Sequence, residues 1–161
     1  MSGDGGQGKS FGVVPVDKVR EMSGLEFLQA VFLKGGPRPP IGQIMNFGGS
    51  EVEFGRVMFE GNPSAAFYNP IGTVHGGYAL TMLDSCMSCA VQSTLPKGMG
   101  YTTVEVKVNF VKAMTDATGT IRAEGKIITT GRRVATAEGR ILDKDGKLIA
   151  FGTTTCLIFP L

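Results

Sequence analysis

The sequence predicts an α+β domain in which a curled antiparallel sheet of about six strands wraps one long helix. Three observations carry this. An apolar stretch from Gly76 to Leu95 has helical periodicity, with Ala79, Leu83, Cys86, Met87 and Ala90 on one face. From Gly100 onward the period changes to two, and Val104, Val106, Val108 and Phe110 alternate with Thr103, Glu105, Lys107 and Asn109. Three further strand-like segments follow, Thr118 to Thr130, Arg133 to Leu142 and Lys147 to Phe159, set off by Ala113–Ala117, Gly131-Arg132 and Asp143-Lys144-Asp145-Gly146. The last separator is an Asp-Gly turn of hairpin type. Four strands in sequence with short turns imply an antiparallel meander.

In chain order, residues 1–22 read as a flexible leader and 23–161 as a single domain. The first ten residues are rich in glycine and read as a disordered tail. Within them, Gly3 to Ser10 satisfies the phosphate-binding pattern G-x-x-x-x-G-K-S, which functions only between a buried strand and a helix. Met1 and Ser2 cannot supply that strand, so no nucleotide role is expected. Ser23 to Lys34 reads as a helix, with Ser23 as N-cap, Glu26 three residues later, and Leu25, Leu28 and Phe32 on one stripe that excludes Gln29. Gly35-Gly36-Pro37 ends it, and Pro39-Pro40 keeps the chain extended. Gln43 to Phe47 and Val52 to Glu60 read as strands joined at Gly48-Gly49-Ser50, and Asn62 to Gly72 as a loop. The long helix carries Thr81, Ser85, Ser88 and Gln92 opposite its apolar face. A polar but uncharged back face suits a helix enclosed by protein. Two glycines, several hydroxyls and Asp84 make the same stretch a poor membrane span.

Composition narrows the functional classes. At 161 residues, 42% hydrophobic and 19% charged, this reads as one ordinary globular domain. A net charge of +2, with no basic stripe and no interleaved aromatics, argues against nucleic acid. The absence of an apolar run in the first ten residues, together with an odd count of cysteines (Cys86, Cys89 and Cys156), predicts reduced thiols and a cytoplasmic location. Cys86-Met87-Ser88-Cys89 has C-x-x-C spacing but lies deep in the apolar run, whereas a redox pair belongs at an exposed helix N-terminus. One histidine and no second cysteine pair speak against zinc.

Chemistry concentrates at Asn69-Pro70-Ile71-Gly72-Thr73-Val74-His75-Gly76-Gly77 and at Asp84, nine residues after the only histidine. A Gly-Gly pair opening a helix lets a ligand approach the backbone, and free amides there can hold a developing oxyanion. Gly76 N–H is the candidate donor, with Gly77 beside it. His75 either orients the site or is a satisfied structural side chain. Asp84 is the only charge between Gly76 and Pro96. It reads as a general base or nucleophile, or as a structural carboxylate bonded to a hydroxyl such as that of Ser88.

The Asn-x-x-Gly-Thr-x-His-Gly-Gly motif with its spaced aspartate resembles the hotdog-fold acyl-CoA thioesterases of the phenylacetate-degradation type. The similarity runs from about Asn69 to Phe159, includes the order helix then four strands, and takes in Gly-Lys-Leu-Ile-Ala-Phe-Gly-Thr in the final strand; residues 1–22 lie outside it. The resemblance implies a hotdog fold and hydrolysis of acyl-CoA thioesters. It implies Asp84 as the catalytic carboxylate, Gly76 N–H as the group polarising the thioester carbonyl, Asn69 and His75 as residues ordering the site, and Thr103 as the hydroxyl that positions water. It also implies self-association as a dimer, often paired into a tetramer, with Asp84 and Thr103 facing the Asn69–Gly76 loop of another copy. Coenzyme A enters as part of the substrate and no cofactor is implied. Its phosphates call for cations, for which Arg132 and Arg133 in the turn after Gly131 are the candidates, or else that turn is simply solvated. A non-catalytic acyl-CoA or acyl-carrier binding module is the alternative on the same fold, and a hotdog dehydratase fits the spacing less well. Phe67, Tyr68 and Tyr78 either line an acyl pocket or belong to the core.

Overall fold

The computed structural model describes residues 10–161. The phosphate-loop-like pattern therefore lies, except for Ser10, outside the described residues. Helices α1 (Val16–Arg20), α2 (Gly24–Phe32) and α3 (Pro40–Ile44) precede strands β1 (Phe47–Glu53) and β2 (Arg56–Gly61). Helix α4 (Gly76–Gln92) follows, then β3 (Met99–Phe110), β4 (Ile121–Thr130), β5 (Val134–Leu142) and β6 (Leu148–Pro160). The six strands form one antiparallel sheet in the order β1-β2-β4-β5-β6-β3. The sheet curls around α4, which packs against all six strands. Within the leader segment, residues 10–12 run beside Arg38 and α1 occupies 16–20.

The apolar face of α4 is the centre of the core. Ala79, Met82, Leu83, Cys86, Met87, Ala90 and Val91 are all at most 1% exposed. Below them, Gly125 of β4 pairs with Gly139 of β5. A Cβ at Gly125 would lie 2.2 Å from the Cys86 carbonyl oxygen, so helix backbone rests directly on sheet backbone there. Gly125→Ala must push the helix off its seat, and an overpacked core of this kind is expected to cost about 1–3 kcal/mol. The shift in the denaturant midpoint, at unchanged slope, measures it.

Three expectations are corrected. The four last strands are not a simple meander: only β4-β5-β6 is, while β3 pairs with β6 at the far edge. Residues 111–120, which are not a tight turn, carry the chain from that edge back to β4 beside β2. The first hairpin also differs. Gly48-Gly49-Ser50 lies inside β1, and the turn falls at Phe54-Gly55, where Gly55 has φ +76°. Glycine is needed at position 49 because the Phe32 ring sits where a Cβ would be, 2.6 Å away. Pro40, expected to keep the chain extended, instead opens helix α3, proline being favoured at a first helical position, and the strand expected over Gln43 to Phe47 begins only at Phe47.

Other elements form as their residues dictate. Ser23 and Glu26 make a reciprocal capping box at the start of α2, and Leu28 and Phe32 bury its stripe. Gly146, at φ +75°, closes the β5–β6 turn, whose amides at Asp145 and Lys147 donate to Asp143 Oδ1. The three cysteines are buried and unpaired. Burial pushes the Cys86 thiol well above its ordinary value and that of Cys89 up to about 12, so both are packing residues rather than a redox pair. Among the described residues, no helix is long and apolar enough to cross a membrane.

Candidate active site

The loop 69–75 is built from its own side chains. Asn69 Oδ1 accepts from the amides of Ile71 and Thr73, at 3.1 and 3.2 Å, while Asn69 Nδ2 donates to Thr73 Oγ1 at 2.9 Å. Gly72 turns the chain at φ +81°. Tyr68 pairs with Val74, and its hydroxyl donates to Asp116 Oδ1 at 2.7 Å, tying the loop to the segment after β3. The result delivers His75 as the N-cap of α4. His75 Nδ1 accepts from Gly77 N–H at 2.8 Å, which places its own proton on Nε2. Gly77 is suited to this contact, since a Cβ there would lie 2.9 Å from Nδ1. Gly76 N–H, first in the helix, has no acceptor among the described residues. Gly76 lines a cavity of about 310 Å³ together with Val74, Ala79, Phe110, Lys112 and Met114.

His75 thus works on the helix terminus. His75→Ala is expected to cost about 1 kcal/mol of stability through the lost cap, and His75→Asn, itself a good cap, to restore it. Unfolding midpoints of the two variants check this.

The second group sits mid-helix. Asp84 is half-buried, and its Oδ1 accepts from Thr103 Oγ1 at 2.9 Å. Among the described residues Oδ2 accepts no hydrogen bond. The Ser88 hydroxyl is not its partner; it receives the Tyr101 hydroxyl at 3.2 Å instead. A β-bulge makes the Asp84–Thr103 contact possible. Thr103 meets the helix, yet Val106 and Val108 also pack inward against the core, and odd and even residues of a regular strand face opposite sides. The ladder to β6 slips between Thr103 and Glu105, leaving Val104 unpaired and 62% exposed, and this reverses the alternation.

A cavity of about 300 Å³ opens beside Asp84. Phe32, Phe47, Phe59 and Ile41 supply apolar wall, Thr81, Ser85, Ser88 and Tyr101 supply hydroxyls, and, among the described residues, Arg38 supplies the one cation. Thr81, Ser85, Ser88 and Tyr101 lie on or against the polar face of α4 and were legible only as helix surface or strand. Arg38 carried a fainter signal, a cation in a Gly/Pro-rich segment.

The structure therefore groups the predicted residues into separate sets. Asn69, His75, Gly76 and Gly77 stand at the helix start; Asp84 and Thr103 stand together eight residues on, about 12 Å along the axis at about 1.5 Å per residue. Arg132 and Arg133 are exposed in the β4–β5 turn. That turn lies by the helix C-terminus, where Thr94 Oγ1 and Thr130 Oγ1 are 3.2 Å apart. Phe67 and Tyr78 stack at 5.0 Å between ring centroids and belong to the core cluster rather than to either cavity.

Known proteins resemble this chain in sequence and fold. Residues 71–150 match the model of the thioesterase superfamily. A protein of Saccharolobus solfataricus, provisionally named an esterase, is 30% identical over 122 residues, spanning 73% of this chain and 78% of that one. The crystal structure of a phenylacetic acid degradation-related protein from Ralstonia eutropha, named as a thioesterase by inference, superposes with a TM-score of 0.72 at 26% identity, covering 84% of this chain and 99% of that chain. A Streptococcus mutans protein crystallised with acetyl CoA superposes with a TM-score of 0.65 at 23% identity, covering 71% and 90% of the two chains. With its helix wrapped by the β1-β2-β4-β5-β6-β3 sheet, this chain belongs to the hotdog-fold thioesterase superfamily.

Proposed function

We propose that the protein hydrolyses acyl-CoA thioesters at a site shared by two copies of the chain. The observation that carries this reading is the separation of the two halves. A thioester carbonyl cannot touch Gly76 N–H and Asp84 of one chain when about 12 Å of helix lies between them. Gly76 from a second copy, set against Asp84 and Thr103 of the first, completes the pair. The edge strand β3 supports that assembly. Its outer ladder is open, and Val104 and Phe110 on it are 62% and 59% exposed.

In the assembled site, the carbonyl oxygen accepts from Gly76 N–H at the positive end of α4. Thr103 holds Asp84 through Oδ1, and the free Oδ2 takes a proton from water. The water oxygen bonds to the carbonyl carbon, the C–S bond breaks with its electron pair on sulfur, and the proton held by Asp84 passes to the leaving thiolate. The products are the free acid and coenzyme A. Water is the sole co-reactant, and coenzyme A enters as part of the substrate. Asn69 and His75 hold the loop that presents Gly76, and Arg132 and Arg133 supply exposed cations for coenzyme A phosphates.

A panel of acyl-CoA esters assayed for free-thiol release tests this reading. Turnover of at least one ester well above the spontaneous rate is the expected result. Thermal stabilisation by the esters without thiol release points instead to a binding module.

A further inference from the structure

Among the described residues, Arg38 is held in place with nearly all of its hydrogen-bonding capacity unused. Its backbone is clamped on both sides, N–H to the Ser10 carbonyl and C=O from the Gly12 amide, each at 2.9 Å. Its side chain is half-buried and donates once, from Nη2 to the Phe32 carbonyl at 3.1 Å. A guanidinium has five N–H donors, so four remain without an acceptor among the described residues. Among the described residues no carboxylate lies within ion-pair distance of it. Glu60, which lines a neighbouring groove with it, is paired with Arg122 at 3.1 Å.

This cation lines the same cavity as Asp84, among Phe32, Phe47 and Phe59. A partly desolvated arginine in a mostly apolar cavity, already oriented and with no anion paired to it among the described residues, suits a ligand that brings one. Asp84 lines the same cavity, yet among the described residues it makes no ion pair with Arg38.

We propose that Arg38 reads a carboxylate at the far end of the acyl group, so that this site favours acyl-CoA esters of dicarboxylic acids over neutral acyl-CoAs of the same length. The proposal rests on the thioesterase reading for the position of the thioester at Asp84. Bidentate pairing with the guanidinium fork would fix the acyl chain along the aromatic wall, its carbonyl toward Asp84. Arg38 is a specificity residue under this proposal and takes no part in bond making.

Binding separates this proposal from its parent, because it needs no turnover. Affinities of glutaryl-CoA and pentanoyl-CoA are measured by calorimetry on Asp84→Asn protein. Glutaryl-CoA is expected to bind about tenfold more tightly, the range of a charge-assisted hydrogen bond. Arg38→Gln, which keeps a donor for the Phe32 carbonyl, is expected to bring the ratio close to one. The same preference should persist with glutaryl- and pentanoyl-pantetheine, which lack the phosphates. Equal affinities in the parent protein, or no binding of either ester, overturn the proposal. So does an Arg38→Gln variant that weakens both CoA esters equally and neither pantetheine ester, which would assign Arg38 to a coenzyme A phosphate. Hydrolysis of neutral acyl-CoAs by the unmodified protein leaves the thioesterase reading standing in either of those cases.

Discussion

Asp84→Asn is expected to lower kcat by about a thousandfold on every acyl-CoA the protein hydrolyses, the scale of a lost general base. Asparagine keeps the shape of the side chain and can still accept from Thr103 Oγ1, so the bulge geometry and the fold should survive. Circular dichroism and the unfolding midpoint provide that control. The carboxylate is half-buried and bonded on one oxygen alone, which leaves the other for water. Near-normal thiol release by a folded Asp84→Asn protein would remove Asp84 from the chemistry. Thr103→Val should have a smaller effect, because it frees the carboxylate without removing it.

Gly76→Pro isolates the second half of the site. Proline at a first helical position suits the helix and removes only the one N–H. The preceding residue already accepts it: His75 sits at φ −59° and ψ 137°, the extended region that a following proline demands. A Cβ at position 76 meets the Phe110 ring at 3.0 Å, so Gly76→Ala, which adds that carbon but retains the amide, is the necessary reference. Relative to it, Gly76→Pro should lose about 10²–10³ in kcat, the scale of one oxyanion donor. Mixing then tests the shared site. Asp84→Asn and Gly76→Pro are each nearly inactive alone. A hybrid dimer carries one site with both defects and one with none, so random exchange should recover about a quarter of the unmodified activity. No recovery, with hybrids shown to form by mass spectrometry, would place both groups of each site on one chain.

How much of this was legible beforehand depends on the range of the interaction. The capping box at Ser23, the period of α4, the Asp-Gly turn and the end of the helix at Gly76 are set within a few residues, and local chemistry specified them. The turn of the first hairpin was misread because glycine serves two purposes. Gly48 and Gly49 have the composition of a turn, but Gly49 is small to admit the Phe32 ring from a helix far off in sequence. Asp84 stood out as a lone charge, and its partner was open between Ser88 and other groups until the strand register was known. Nothing local marks Arg38, because what distinguishes it is that no acid among the described residues pairs with it in space.

The amino-acid sequence by itself determined the α+β class, the long central helix, the turn that presents Gly76, and the spacing of Gly76 and Asp84 on one helix. These depend on periodicity, capping and rise per residue, all of which act locally. The tertiary structure alone decided that β3 crosses to the sheet edge beside β6, that a bulge at Val104 turns Thr103 toward Asp84, and that Arg38 shares a cavity with that carboxylate. Each of these sets residues 19 or more positions apart against one another. Such contacts follow from which faces can be buried together, and no single stretch of chain contains that information.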